Sequence, residues 1–489
     1  MKMLELAIAL PVAGAILAFL LKNKSPNYSG AAAALFVFLS FAAIAGATGE
    51  FIQSGQPLHE FGVLSLDALS ALFALVVSLV AFLVLLYSQG YMAHEVEIGA
   101  VDGKRVGNYY ALLSLFLASM LSALLASDMV LIWASVEATT LVSVFLISFF
   151  NRPQSVEAAW KYFVICSVGI TLALVGVIIL GFGLSKAGLA VQFDWAYAAQ
   201  NAALIDPTIL KIAFAFILVG YGTKMSLFPL HVWLPDAHEQ APTPVSALLS
   251  GVLLNIAFYA ILRVFKIMQA SPDAESFAST LLLVFGMASL GFAALRLYSQ
   301  KNFKRLLAYS SVENMGIAAL AMGLGGPLGA FASLFHVVSH SLVKPLAFFS
   351  AGALSQVYST RDMPLVRGAL SAVPFFGMAF LFACIGVAGS LPFGTFFSEA
   401  ALLGAALSKG RIDVAVLAIA FFAIAFAVML SKASEVSFGP APAGTKHFKQ
   451  SASMTFAVAA LFLLACMVAL FPPAQFLQLV LSASSAFVK

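Results

Sequence analysis

Two histidines and a lysine recur at four-residue spacing in one apolar stretch of the sequence. His336, His340 and Lys344 lie within FHVVSHSLVKPLAFF. If this stretch is an α-helix, the spacing places all three side chains on one face, over about 12 Å along the axis. Imidazole titrates near neutrality and can accept a proton on one nitrogen while it donates from the other. A single membrane histidine is as often a packing residue, but three ionisable side chains in one row indicate a path for protons.

Three carboxylates and a second lysine lie in other apolar stretches. Glu137 is found in VLIWASVEATTLVSVFL and Lys224 in VGYGTKMSLFP, at a similar depth in neighbouring segments, and we predict that they form an ion pair. Glu313 lies in AYSSVENMGI, and Glu399 follows GVAGSLPFG. A charge at the bilayer centre costs between roughly 2.5 and 17 kcal/mol, so each of these side chains needs a partner or a water-filled cavity. We predict that all four take part in proton translocation.

The other cations of the apolar stretches have a simpler explanation. They fall near the ends of the stretches, where long side chains reach the membrane surface or set the orientation of the helices. We assign no transport role to these residues, which are Arg263, Lys266, Arg296, Lys304 and Arg305.

The composition indicates a membrane environment. Of the 489 residues, 62% are hydrophobic and 9% are charged, against about 25% charged in soluble domains. The cysteines Cys166, Cys384 and Cys466 lie apart, without a CxxC motif or a cysteine–histidine cluster. The sequence also lacks nucleotide-binding glycine motifs, HExxH and a soluble stretch large enough to hold an iron–sulfur cluster. We expect no cofactor and no metal in this chain, and a net charge of only +4 does not suggest nucleic acid.

Apolar runs of about 20 residues, the length needed to cross a bilayer, recur along the whole chain. We predict an all-α integral membrane domain of about fourteen spanning helices, of which the first is a retained helix rather than a cleaved signal peptide. The predicted segments are 4–21, 30–47, 66–87, 109–126, 128–149, 162–184, 208–230, 244–267, 277–298, 306–324, 329–355, 373–402, 412–431 and 453–479.

Two segments contain glycine and proline at mid-depth. Segment seven contains VGYGTKMSLFP and segment twelve contains GVAGSLPFG, and we predict that both helices break inside the membrane. Because the two are five segments apart, equivalent segments would run in opposite directions, so segments four to eight and nine to thirteen are predicted to form inverted repeats. Transporters built in this way have the transport site at the broken helices. Simple tolerated kinks are the alternative, which the ionisable residue of each segment disfavours.

These segments divide one membrane domain into four parts. They are an N-terminal three-helix part (1–108), a first repeat (109–267), a second repeat (277–437) and a C-terminal helix (453–489). With both termini outside, the cytoplasmic connections hold 15 lysine and arginine residues and the outer side holds 8. This excess agrees with the positive-inside rule. We predict a multi-pass protein of a bacterial or archaeal cytoplasmic (inner) membrane, with both termini outside.

The run KMSLFPLHVWLPDAHEQAPTPVSALLSG, from Lys224 to Gly251, resembles the most specific block of a known superfamily. Its members are the antiporter-like subunits of respiratory complex I, of Mrp-type cation/proton antiporters and of membrane-bound nickel–iron hydrogenases, and the resemblance extends over nearly all segments. It implies that Glu137 is the family's fifth-segment glutamate, that Lys224 is its seventh-segment lysine, and that Glu399 is the ionisable residue of the second broken helix.

Within this superfamily, one branch is most similar. WASVEATTL, SVEAAWKYFVICSVGI, YSSVENMGI and HSLVKPLAFFSAG resemble the hydrogenase-4 and formate hydrogenlyase proteins of the component F type. That resemblance implies partners, namely a peripheral nickel–iron hydrogenase module, iron–sulfur proteins and further membrane subunits, whose electron transfer is coupled to proton movement in this chain. The alternatives are a subunit of an Mrp-type sodium/proton antiporter, a subunit of a complex I NADH–quinone oxidoreductase, and a non-conducting scaffold.

The chain departs from complex I relatives in segment eight. Those relatives usually have a lysine where GVLLNIAFYAILR has Asn255, and the hydrogenase branch is compatible with asparagine there. An asparagine side chain cannot take up and release a proton at physiological pH. We therefore predict that a relay between the repeats uses water held by Asn255, or passes through Glu313 and the histidines.

Overall fold

The computed structural model describes residues 2–23, 25–442 and 451–488, and these are almost entirely helical. The helices of the first half are α1 (Met3–Leu20), α2 (Pro26–Ser54), α3 (Ala68–Glu97), α4 (Gly103–Leu125), α5 (Met129–Ile147), α6 (Pro153–Lys186), α7 (Trp195–Asn201), α8 (Pro207–Met225), α9 (Leu234–Gln240), α10 (Thr243–Leu248) and α11 (Leu254–Met268). The helices of the second half are α12 (Pro272–Leu297), α13 (Phe303–Leu324), α14 (Gly326–Tyr358), α15 (Ala369–Ala372), α16 (Pro374–Val387), α17 (Gly394–Ser408), α18 (Ile412–Ser437), α19 (Ala452–Leu470) and α20 (Ala474–Ser485). A π-helical turn, Leu249–Leu253, joins α10 to α11.

Twelve helical spans of the described residues are long and apolar enough to cross a membrane. One of them, Thr243–Met268, consists of α10, the π-helical turn and α11. The all-α membrane class is therefore confirmed. Two of the fourteen predicted segments fall outside this count, because 306–324 forms the less apolar α13 and 373–402 is divided between α16 and α17. The number fourteen stays a prediction.

The predicted breaks in segments seven and twelve are both present. The chain is not helical between Met225 and Leu234, nor between Val387 and Gly394. Lys224 was expected in the first break, but it lies in the last turn of α8, just before it. The last segment was predicted as one helix over 453–479, which is wrong. It ends at Leu470, and α20 is a separate helix, because consecutive prolines at 472 and 473 cannot continue the hydrogen-bonding pattern of α19.

A β-hairpin that we did not predict precedes α3. Strand β1 (Leu58–Glu60) pairs antiparallel with β2 (Leu64–Leu66). The tight turn includes Phe61 and Gly62, both with positive φ, as a right-handed twisted hairpin requires. The Glu60 carboxylate accepts hydrogen bonds from the backbone N–H groups of residues 4 and 5, at 3.2 and 3.3 Å. It thereby satisfies free N–H groups in the first turn of α1.

Aspartates in the connections begin many of the helices. An aspartate carboxylate accepts a backbone N–H of the first turn at the start of α3, α4, α5, α7 and α8, and Asn302 does the same for α13. At the start of α8, the hydrogen bond from the Thr208 backbone lowers the pKa of Asp206. These acidic residues are helix caps.

The two most buried spans lie at the centre of the bundle. The most apolar stretches of Thr243–Met268 and α14 are completely buried, whereas about a third or less of the corresponding stretches of α1, α18 and α19 is buried. The central spans also pack against each other, through α10 and the π-helical turn on one side and α14 on the other. Asn255 and the predicted row of histidines and lysine therefore lie in the middle of the protein, away from lipid.

Candidate functional site

Lys224 is completely buried between α5, α6 and α8. Its Nζ donates to Thr140 Oγ1 at 2.7 Å and to the Tyr162 hydroxyl at 2.5 Å, and it lies 4.6 Å from the centre of the Tyr162 ring. The Tyr162 hydroxyl is also 2.7 Å from Ser143 Oγ, which donates to the carbonyl oxygen of residue 139. Because a serine has one hydroxyl hydrogen, Tyr162 donates to Ser143. The lysine thus heads a directed chain of hydroxyl groups.

The predicted ion pair between Glu137 and Lys224 is absent. Glu137 Oε1 accepts a hydrogen bond from Ser167 Oγ at 2.7 Å, and Glu137 Oε2 is buried without a hydrogen-bond partner among the described residues. The helix carries Thr140 one turn beyond Glu137, so the threonine hydroxyl takes the position next to the ammonium group. Lys224 is held by neutral acceptors rather than by a carboxylate. An ammonium group in such a setting gives up a proton more readily than one in an ion pair.

The end of α8 places Lys224 at this point. Ser226 has a left-handed backbone, with φ 65°, and stops the helix. The carbonyl oxygen of Thr223 then accepts a hydrogen bond from Trp233 Nε1 at 2.9 Å, and the backbone N–H of residue 227 bonds the carbonyl of residue 222. Because the freed backbone groups are satisfied inside the protein, the helix can end within the membrane without a large penalty.

Asn255 follows the π-helical turn and faces α14. Its Nδ2 donates to the carbonyl oxygen of Gly251 at 2.8 Å and to Ser341 Oγ at 2.7 Å. Its Oδ1 is buried without a partner among the described residues. Asn255 and Ser341 also line a cavity of about 10 Å³, otherwise bordered by apolar side chains of α3 and α14, which is about the space that one water molecule needs. The amide is therefore placed to hold a single water molecule.

The π-helical turn and α14 fit together through small residues. A Cβ atom on Gly251 would lie 2.7 Å from Pro345 Cγ, so only glycine permits this approach. The carbonyl oxygen of Ser250 accepts a hydrogen bond from His340 Nε2 at 3.1 Å, and Ser250 Oγ lies 2.6 Å from Ser311 Oγ. One widened turn thus supplies hydrogen bonds to both α13 and α14. Such π-helical turns are frequent at functional sites.

The predicted row of histidines is present on α14, but the two histidines do not hydrogen-bond to each other. The His340 Nε2 atom must carry the hydrogen, because its partner is a carbonyl oxygen, which leaves Nδ1 as an acceptor. Ser398 Oγ donates to the carbonyl of residue 395, so His336 Nδ1 donates to Ser398 at 2.9 Å, and His336 Nε2 is an acceptor. The ring centres are 6.5 Å apart, and His336 Nε2 and His340 Nδ1 are buried acceptors that have no hydrogen-bond partner in the part of the chain that the structure describes. Water between them would have to donate to both.

Lys344, one turn beyond His340, is held like Lys224. Its Nζ donates to the carbonyl oxygen of Leu307, at 3.0 Å, and to the hydroxyl of Ser310. Both acceptors belong to α13, which also carries the buried Glu313 three residues beyond Ser310. The Glu313 Oε2 atom has no hydrogen-bond partner among the described residues. Lys224 and Lys344 are thus both completely buried and both donate to a hydroxyl group, and a glutamate lies on the helix that supplies that hydroxyl or its neighbour.

Glu399 lies against the second break. The carboxylate covers the backbone of Gly389, where a Cβ atom would lie 2.0 Å from Glu399 Oε2. Gly389 has φ 74°, a conformation that glycine adopts without strain. The break and the carboxylate therefore depend on the same glycine.

Two histidines that we did not assign are also buried, and one of them, His238, contacts α14. Both nitrogens of the fully buried His238 lack partners among the described residues, and its ring stacks on Phe348 of α14 at 5.2 Å. The His231 ring lies 4.8 Å from Phe292. Both histidines belong to the run from Lys224 to Gly251, so the polar content of that run in an otherwise apolar region was a signal for them.

The explanation of the end cations as exposed side chains is wrong for two of them. Arg263 is 4% exposed and Lys304 is 2% exposed. Lys304 donates to the carbonyl oxygen of Ala241, and Arg263 forms an ion pair with Asp67. Arg305, which is partly exposed, pairs with Asp236 and Glu239. Sequence position along a segment did not reveal this burial, because it depends on which helix covers each end.

Family comparison identifies the region that contains these residues. Residues 126–427 match the family model described as "NADH:quinone oxidoreductase/Mrp antiporter, TM". Residues 59–99 match the model described as "NADH-Ubiquinone oxidoreductase (complex I), chain 5 N-terminus". The first match contains all eight residues that we singled out for proton translocation, and the second contains all of α3 and the β-hairpin except its first residue.

Individual relatives point to the same family. The chain is 40% identical to the hydrogenase-4 component F homolog of Methylacidiphilum infernorum (isolate V4), over 83% of this chain and 84% of the relative. It is 30% identical to hydrogenase-4 component B of Escherichia coli (strain K12), over 74% of this chain but 54% of that longer protein. A subunit of the membrane-bound sulfane sulfur reductase, an archaeal respiratory membrane complex, has the same fold, with a TM-score of 0.88, 24% identity and coverage of 99% of this chain and 98% of that one.

Proposed function

Because the chain belongs to the NADH:quinone oxidoreductase/Mrp antiporter transmembrane family, we propose that it is a proton-translocating, antiporter-like subunit of a membrane-bound redox complex. The observation that carries this proposal is the pair of buried lysines, Lys224 and Lys344, each held by hydroxyl groups. Ionisable groups at membrane depth are costly and mark ion pathways. In this role, Lys224 and Lys344 take up and release protons. The nearby carboxylates of Glu137 and Glu313 change how readily each lysine does so.

The path that we propose runs through the two central spans. It leads from Glu137 and Lys224 past Asn255 to His340, Lys344 and Glu313, and it ends at Glu399 by way of His336. Unpartnered polar atoms of Glu137, Asn255, Glu313, His336 and His340 support it, because each leaves a buried lone pair that water can bond. Proton transfer between these groups needs such water molecules, since the histidine rings do not meet directly.

Inverted repeats are consistent with this path. Each proposed repeat contains one broken helix, and a buried or partly buried glutamate lies in each of the two segments that the repeat hypothesis makes equivalent, Glu137 in α5 and Glu313 in α13. We propose that the breaks allow the helix ends to move while the central spans stay fixed.

We further propose that the complex is a hydrogenase-4 or formate hydrogenlyase type assembly in a bacterial or archaeal cytoplasmic membrane. The 40% identity to a component F homolog supports this, as does the asparagine at 255. Its partners would be other membrane subunits, a peripheral nickel–iron hydrogenase module and iron–sulfur subunits, with no cofactor in this chain. An Mrp-type sodium/proton antiporter or a complex I would instead copurify with its own characteristic subunits. Purification in mild detergent, followed by identification of each copurifying subunit, distinguishes these assemblies.

The role of Lys224 in proton transfer is tested by replacing it with alanine and, to keep a side chain of similar volume, with methionine. Both variants remove the group that donates to Thr140 and Tyr162, so we expect proton pumping by the assembled complex in liposomes to be lost. The matched control is Lys211→Ala, which removes a partly exposed lysine near the other end of α8. Pumping at the normal rate by Lys224→Ala would remove Lys224 from the path.

A further inference from the structure

A buried arginine ends the polar face of α11. Asn255, Tyr259 and Arg263 are spaced four residues apart, so they share one face over about 12 Å. The Tyr259 hydroxyl donates to the carbonyl oxygen of Leu124 at 2.7 Å. The Arg263 guanidinium lies 4.8 Å from the centre of the Tyr259 ring. A row of polar side chains therefore leads from the cavity beside Asn255 to one end of the helix.

Asp67 and Trp195 fix the guanidinium at that end. Arg263 donates to both carboxylate oxygens of Asp67, at 2.6 and 2.7 Å, and stacks 3.9 Å from the centre of the Trp195 ring. The same carboxylate caps α3 by accepting from the backbone and the hydroxyl of Ser70, at 2.9 and 3.0 Å. Three separate parts of the chain, at the starts of α3 and α7 and the end of α11, thus meet at one cation.

The carboxylate of this pair is not a proton acceptor. Both of its oxygens accept hydrogen bonds from the Arg263 guanidinium, and Oδ1 also accepts from the backbone and the hydroxyl of Ser70. These donors occupy the carboxylate on both oxygens. The side chain of Asp67 is 23% exposed, whereas that of Arg263 is 5% exposed, so the arginine lies on the inner side of the pair.

Two N–H groups beside the pair lack acceptors. Arg263 Nε and Trp195 Nε1 are both buried without a hydrogen-bond partner among the described residues. A water molecule there would accept from these donors and point its own hydrogens away. If this water molecule took up an extra proton, the resulting positive charge would lie beside the fixed Arg263 guanidinium. The two positive charges would repel each other. A fixed arginine with oriented donors is how several pores exclude protons and cations.

We propose that Arg263, fixed by Asp67, is an electrostatic barrier that stops protons from passing between Asn255 and the outer surface along α11. This inference rests on the proposed function, and it places the outlet of the path elsewhere, in the second half of the chain. Asn255, Tyr259 and Arg263 form a row of polar side chains along α11. Because such a row could conduct protons to the surface, this is the route that a barrier must block.

The test measures passive proton leak without turnover. The chain, purified with its copurifying membrane subunits, is reconstituted in liposomes that contain a trapped pH-sensitive dye, and a pH gradient is imposed. The neutral pair Asp67→Asn with Arg263→Gln keeps hydrogen bonding, and asparagine can still cap α3. We expect this double variant to dissipate the gradient about tenfold faster than the native protein. A leak equal to the native one in the assembled double variant would overturn the proposal.

Matched variants separate the barrier from a purely structural role. Arg263→Lys keeps the charge and the pair, so it should not leak; a rapid leak would contradict the proposal. Lys266→Gln removes a cation from the same end of α11 and should also leave the leak unchanged. If the neutral pair does not assemble, the exchanged pair Asp67→Arg with Arg263→Asp retains the ion pair, and its negative inner group should raise the leak; a native leak rate would overturn the proposal. Because no turnover is involved, loss of pumping in Lys224→Ala is a separate result.

Discussion

Asn255 shows how one side chain can replace a lysine without carrying a proton. Its amide group donates to the π-helical turn and to Ser341, which fixes its orientation. The acceptor oxygen has no hydrogen-bond partner among the described residues, and Asn255 borders a cavity about the size of one water molecule. The sequence showed that residue 255 is an asparagine. Which atoms of its side chain are bonded depends on contacts between α11 and α14, which are far apart in the chain.

Replacing Asn255 tests the water-holding role. Asn255→Leu removes both donors and the free acceptor, so we expect it to stop proton translocation, whereas Asn255→Gln and Asn255→Ser should keep much of it, since both retain a donor and an acceptor. Proton uptake in proteoliposomes, together with redox turnover of the assembled complex, measures this. Ser341→Ala keeps the amide but removes the hydroxyl that helps to orient it, so we expect it to reduce translocation less than Asn255→Leu does. Normal pumping by Asn255→Leu would show that the path avoids Asn255.

The broken helices are positioned by neighbouring elements rather than by their own sequences alone. The end of α8 is stabilised by Trp233, which bonds a carbonyl oxygen that the break leaves free. The end of α16 instead packs beneath Glu399, and Thr395 Oγ1 donates to the carbonyl oxygen of Gly386 at 2.6 Å. A break inside the membrane is tolerated where such contacts replace the missing helical hydrogen bonds.

Alanine substitutions at two glycines, Gly389 and Gly410, distinguish the effect of backbone strain from the effect of a clash with a side chain at the second break. Gly389→Ala adds a methyl group 2.0 Å from Glu399 Oε2 at a positive φ, so we expect it to displace the carboxylate and to reduce pumping strongly. Gly410→Ala is the matched control, with φ 69° and no atom within 4 Å of the added Cβ. It should carry only the backbone cost, about 1 kcal/mol or more. Pumping rates and thermal unfolding of both variants decide the point, and equal effects would exclude a special role for the contact with Glu399.

At the scale of the whole molecule, the most buried spans carry the most polar row. The burial of the central parts of Thr243–Met268 and α14 gives Asn255, His336, His340 and Lys344 neighbours that can bond them. The peripheral helices carry the exposed apolar surface that faces lipid or other subunits. This arrangement places proton-carrying groups where protein, rather than lipid, sets their environment.

Orientation in the membrane is a further property of the whole chain. If both termini lie outside, Ser54, which precedes the β-hairpin, lies on the outer surface, and Glu97, at the end of α3, lies on the cytoplasmic side. Both residues are exposed. We expect Ser54→Cys to be labelled by a membrane-impermeant thiol reagent in intact cells, and Glu97→Cys to be labelled only after the cells are opened. The native chain is the control, since its own cysteines lie in apolar stretches. The reverse pattern would invert the orientation.

The sequence alone determined the membrane class and the positions of the breaks, and it supplied the residues that we predict to carry protons. These follow from properties of short stretches, namely apolar length, the lack of helical continuity at glycine and proline, and the cost of a charge in lipid. The tertiary structure decided which groups meet. Thr140 and Tyr162 rather than Glu137 hold Lys224, and Arg263 is buried against Asp67, because helix rotation and packing between distant segments set these contacts. Local patterns do not contain that information.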